Sequence, residues 1–200
     1  MISTLSFRTT SLMKAIFLTI GVVIWLGSCV PDEPSTGFDG PSEYTILFDK
    51  TALAGQSISL IHASTTVEDV NFISSRSITK VYAEPIEMQH NNKLNTQSFI
   101  NWAWDGGTGV DGSHNTTSVA GPGGGGSGDI LLAYENGDEY NMFIPAYQPV
   151  TLSKYGEIGE EITGSFSFTG NIQGTESGKA FYIQNCKATI SFRLKRGKDQ

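Results

Sequence analysis

The stretch Lys187-Ala-Thr-Ile-Ser-Phe-Arg-Leu-Lys195, KATISFRLK, decides the fold class. Ala188, Ile190, Phe192 and Leu194 alternate with Lys187, Thr189, Ser191, Arg193 and Lys195. A strict period of two gives an extended segment one buried face and one wet face, the mark of an antiparallel sheet. The same alternation recurs upstream. Phe166 and Phe168 share a face of GSFSFTG, and Ile100, Trp102 and Trp104 share one in FINWAW. Ile58 and Leu60 pair in SISLI, and Tyr44, Ile46 and Phe48 in YTILF.

Turn signals separate these runs. In DILLAYENGDEYNMFIPA two apolar runs flank Glu135-Asn136-Gly137-Asp138, and Asn-Gly readily takes the positive φ angles that hairpin turns demand. GNIQGTESGKAFYIQ offers a second turn between Gly174 and Gly178. Outside the first residues no window holds a sustained helical period with caps, although SEYTILFDKTALAG reads either way. About eight to ten strands are too many for one flat sheet, so the expectation is all-β: an antiparallel β-sandwich or open barrel. Residues 106 to 128, GGTGVDGSHNTTSVAGPGGGGSG, hold 10 of the 23 glycines. Glycine is costly to order, so this segment reads as a long mobile loop and not another strand.

The beginning of the chain has a different character. Residues 1 to 14 carry Arg8 and Lys14 and no acid, and the apolar run AIFLTIGVVIWL follows. At about a dozen residues it is short of the roughly 20 that a membrane-crossing helix needs, so it reads as the core of an export signal. The run ends in Leu26-Gly27-Ser28-Cys29. That quartet resembles the lipobox of bacterial lipoproteins. The resemblance implies cleavage after residue 28, a thioether-linked diacylglycerol on Cys29 and acylation of the new N-terminus. Several acyl chains give a lasting hold on a bilayer where one gives a reversible one. An uncleaved helix or a plain signal peptide is the alternative.

Behind Cys29 the sequence VPDEPSTG is rich in Pro, Ser, Gly and acids, so residues 29 to 43 read as a lipidated cysteine and solvated tether before a domain spanning 44 to 200. The Asp32-Glu33 pair is similar to the export signal of surface lipoproteins in the Bacteroidota. GEEITGSFSFTGNIQ followed by AFYIQNCKATISFRLKR also resembles the ending of small lipoproteins of that phylum, with Cys186 where the pattern usually has glycine. These resemblances imply an all-β envelope protein anchored at the outer membrane, facing either the periplasm or the outside.

Without residues 1 to 28 the chain loses two of its 13 Lys+Arg and none of its 20 Asp+Glu, leaving a formal charge of −9. That surface repels phosphate backbones and excludes nucleic acid as a partner. With Cys29 lipidated, Cys186 has no partner for an intrachain disulfide, and two cysteines exclude a thiolate-rich zinc site. Cys186 then reads as a small buried hydrophobe.

The formal match of GPGGGG to a dinucleotide loop lacks the strand before and helix after it, and GTESGKA lacks phosphate-loop spacing. His62, His90 and His114 are far apart, and His62 shares parity with Leu60, as a sheet histidine does. No metal site and no cofactor is expected. Asp105, Asp111 and Asp129 bracket the glycine segment and could give oxygen ligands to calcium, though solvated turn acids fit equally simple chemistry. Trp102 and Trp104 could stack on sugars, or fill a core. The leading expectation is a non-catalytic, lipid-anchored binding or adhesion module, whose partner beyond the membrane is a glycan or an envelope protein. A carbohydrate-binding lipoprotein using Trp102, Trp104, Asp105 and Asp111 is the alternative, and a hydrolase assembled only in three dimensions a third.

Overall fold

The computed structural model describes residues 38, 40–62, 70–90, 93–118 and 126–200. The expected signal segment, Cys29, the tether as far as residue 37 and positions 119–125 of the glycine segment lie outside the described residues. Twelve strands follow one another: β1 (Ser42–Phe48), β2 (Ser57–His62), β3 (Val70–Ile73), β4 (Ile78–Ala83), β5 (Glu87–Met88), β6 (Phe99–Asp105), β7 (His114–Asn115), β8 (Gly128–Ala133), β9 (Glu139–Ile144), β10 (Pro149–Tyr155), β11 (Glu161–Glu176) and β12 (Lys179–Lys195). A single 3₁₀ turn, Ser74–Arg76, is the one helical element among the described residues. β5 and β7 are two residues each, which accounts for twelve strands where the alternation suggested eight to ten.

Every strand pairing is antiparallel, in the order β3-β4-β6-β8-β9-β11-β12-β1-β2-β5, with β10 joining β11 and β7. The order does not return on itself, so the architecture is sandwich-like rather than a closed barrel. Trp102 of β6 lies 5.5 Å from Phe192 of β12, 5.6 Å from Phe166 of β11 and 5.9 Å from Tyr44 of β1. These strands are far apart in the pairing order, so the rings can meet only because the sheet folds over and packs face to face.

The fold-over runs through β11 and β12. Residues 162–166 of β11 pair with β10, whereas residues 172–175 pair with β9. Between them the register shifts at Gly170/Ile172, and Asn185 on β12 takes a left-handed φ of 53°. A bulge of this kind bends a ribbon, so each half of the hairpin serves a different layer. Ser177 and Gly178, both with positive φ, make its two-residue turn. Gly174, expected in that turn, instead lies inside β11, opposite Tyr140. In the β8–β9 hairpin only Gly137 of the Asn-Gly pair has positive φ, and Asn136 Oδ1 accepts the Asp138 N–H at 3.0 Å.

The segment from 106 to 128 is only partly a loop. His114 pairs with Val150, Thr116 bridges to Trp104, and the Thr116 hydroxyl donates to the Pro145 carbonyl at 2.8 Å. The expectation of no strand there is corrected: backbone hydrogen bonds to two neighbouring strands outweigh the entropic cost of its glycines. At the other end, Phe38 donates its N–H to the Gly159 carbonyl at 2.9 Å and takes the Arg193 guanidinium over its ring at 4.4 Å. The described fold is thus engaged ahead of Tyr44. Cys186 is fully buried, and that burial pushes its thiol pKa upward. His62, also buried, places Nδ1 2.8 Å from the Pro85 carbonyl.

Glu161 ties three strands together, accepting from Arg193 Nε at 2.7 Å and Lys154 Nζ at 3.1 Å. The Arg193 bond first, then the Lys154 bond, holds its carboxyl below the usual carboxylate range. A depressed folded-state pKa stabilises above the unfolded value of about 4.3 and is lost as pH falls through the folded value. Glu161→Gln is therefore expected to cost less than about 1 kcal/mol at neutral pH, because both bases are half exposed and screened. Urea midpoints should show the difference fading in strong acid and at high salt; a difference that persists in acid would assign it to packing.

Candidate functional site

Trp102 and Trp104 do not reach a surface. Both are 0% exposed, on the inward parity of β6, with Trp104 stacked 5.7 Å from Phe192. Neither offers a face to a sugar, so the tryptophan-based site is corrected to a core role. Asp105 is committed locally: its Oδ1 accepts the Asn115 N–H at 3.1 Å, and its carbonyl faces His114 Nδ1 at 3.1 Å. Asp111 is exposed. Asp129, the second residue of β8, lies opposite Asn101, four residues from Asp105 along β6 and so roughly 13 Å away. Among the described residues no three His, Cys, Asp or Glu side chains gather as metal ligands, so the three aspartates do not form the calcium site considered from their order in the chain.

The two outer faces of the sandwich differ in chemistry. On one, directly opposed residues read Ser59–Thr45–Ser191–Ser165–Thr151 across five strands. Hydroxyls on this face satisfy one another, as in Ser167–Thr189 at 2.8 Å and Ser153–Thr163 at 2.9 Å. On the other, one row runs Tyr182–Gln173–Asn141–Leu131–Phe99 and a second runs Phe143–Asp129–Asn101–Tyr82. Aromatic rings here point outward: Phe143 is 57% exposed and Tyr182 56%. Amide side chains and one carboxylate lie between them.

These polar groups are incompletely paired. Asn101 Oδ1 accepts the Asp129 N–H at 3.1 Å, but Asp129 Oδ1 and Asn141 Oδ1 are shielded from water without a hydrogen-bond partner. Burial pushes the Asp129 carboxyl pKa upward. Beside Phe143 the surface sinks into a depression of about 410 Å³ lined by Gly126, Phe143, Ile144, Pro145, Gly170 and Asn171. Gly126 brings the end of the glycine segment to its rim. Among the described residues no titratable side chain lines it; glycine backbone, one aromatic ring, Ile144, Pro145 and one amide do.

Of these residues the sequence singled out Asp129 alone, and as a calcium ligand. The signal was parity: Tyr140, Met142 and Ile144 are the buried positions of β9, which leaves Phe143 on the wet side. With Tyr182, Phe143 puts two exposed aromatic rings on the same outer face. No protein-family model matches this chain, and neither does any curated protein or solved structure.

Proposed function

We propose that this chain is a lipid-anchored, non-catalytic binding module of the bacterial cell envelope. The observation that carries the reading is Leu26-Gly27-Ser28-Cys29 at the end of an apolar run, a short distance before the sandwich begins to take up the chain at Phe38. Lipid on Cys29 fixes that end in a bilayer. Nine residue steps extend at most about 30 Å, so the module works close to the membrane that holds it. The acidic Asp32-Glu33 pair on this leash and the resemblance to Bacteroidota lipoproteins support an outer-membrane location. The aromatic and amide face supplies recognition without an acid, base or nucleophile in its depression.

Cells expressing the full chain and fed an alkyne-tagged fatty acid should yield a labelled, membrane-bound protein. Cys29→Ser should abolish the label and leave a precursor of higher mass. Labelling that survives the substitution, or an unlabelled parent chain, contradicts the reading.

A further inference from the structure

We propose that the aromatic and amide face is a binding site for a neutral saccharide, seated on Phe143 and Tyr182 with Asp129, Asn141, Asn101 and Gln173 between and beside the rings. The inference rests on the binding-module reading and gives it a ligand class and a place. A sugar ring has an apolar face of C–H groups and a rim of hydroxyls, each both donor and acceptor. Phe143 and Tyr182 stand two strand spacings and two residues apart, roughly 12 Å, and expose ring surface for the apolar faces of a short oligosaccharide.

The polar groups meet the rim. Amides give both donors and acceptors, which suits hydroxyls and suits no single charge. Asp129 Oδ1 and Asn141 Oδ1 lack a partner in the structure, and a buried acceptor without one gains from a donor that a ligand brings. Phe143 lies directly opposite Asp129, so a ligand seated on its ring stands beside that carboxylate. An anionic sugar would face Asp129 within a strongly acidic body. The hydroxyl carpet of the opposite face already pairs within itself, and among the described residues it carries no comparable aromatic pair.

The test is affinity electrophoresis of the full lipidated chain in detergent, through gels holding a neutral β-glucan, a galactomannan or an arabinoxylan. Polygalacturonate and chitosan serve as the anionic and cationic comparisons. At least one neutral polysaccharide should retard the protein, with affinity falling about tenfold or more in Phe143→Ala and in Tyr182→Ala. Leu47→Ala, an exposed apolar position on the opposite face, should migrate like the parent. Unchanged melting of each variant excludes misfolding as the cause. Retardation by none of the neutral polysaccharides overturns the proposal, as does retardation by the charged ones alone, or retardation that survives the Phe143→Ala/Tyr182→Ala pair. Fatty-acid labelling of the same preparation separates the two claims: labelled protein that no neutral polysaccharide retards sinks the saccharide site and leaves the anchored module standing.

Discussion

Trp102→Ala is expected to lower the unfolding free energy by about 4 kcal/mol, the largest loss of any single side chain in the core. The indole touches Tyr44, Trp104, Phe166 and Phe192 at centroid separations of 5.5 to 6.3 Å, so it joins β6 to β1, β11 and β12 across the gap between layers. Removing it forfeits the transfer energy of the ring, opens a cavity that a pleated scaffold cannot close, and deletes several aromatic pairs at once. Trp102→Phe should cost much less. The indole Nε1 is buried without a hydrogen-bond partner, and phenylalanine removes that donor while keeping most of the ring. Urea denaturation of the three proteins measures the difference; a loss below about 1 kcal/mol for the alanine variant would mean the layers do not depend on this contact.

Gly128→Ala should cost about 3 kcal/mol, from one added methyl group. A Cβ at residue 128 would land on the Asn101 carbonyl oxygen and come within 2.7 Å of Trp102 Cα. Neither atom can yield, because β6 is hydrogen-bonded to β4 on one side and β8 on the other, and Trp102 is locked in the core. Gly137→Ala is the informative contrast. Its Cβ meets open space, and only the left-handed φ of 87° opposes it, a cost of about 1 kcal/mol. If the two substitutions destabilise equally in thermal or urea melts, the close approach of β6 and β8 is wrong.

What could be read in advance followed from parity. KATISFRLK, FINWAW and GSFSFTG each buried the alternate residues that their pattern assigned, and Trp102 and Trp104 followed Ile100 inward. The shared parity pointed to a core role for the two tryptophans, and their burial removes the alternative role as sugar platforms. Gly174 misled for a different reason. Glycine marks both turns and close backbone approaches, and only the register shows that residue 174 faces the Glu139 carbonyl inside a strand. The short strand β7 was hidden among glycines because its stability comes from pairing with β10, 36 residues away at Val150↔His114 and 34 at Pro149↔Asn115, not from its own composition. The outward face of Phe143, Asp129 and Asn101 was out of reach for a similar cause. Those residues belong to three strands, and nothing local announces that their registers align.

The anchored reading depends on the chemistry of one sulfur, and intact-protein mass spectrometry of material purified from its native membrane tests it most directly. The expected species lacks residues 1 to 28 and carries a diacylglyceryl thioether with an N-acyl chain on Cys29. A species with a free Cys29 thiol, or with residues 1 to 28 still attached, would contradict it.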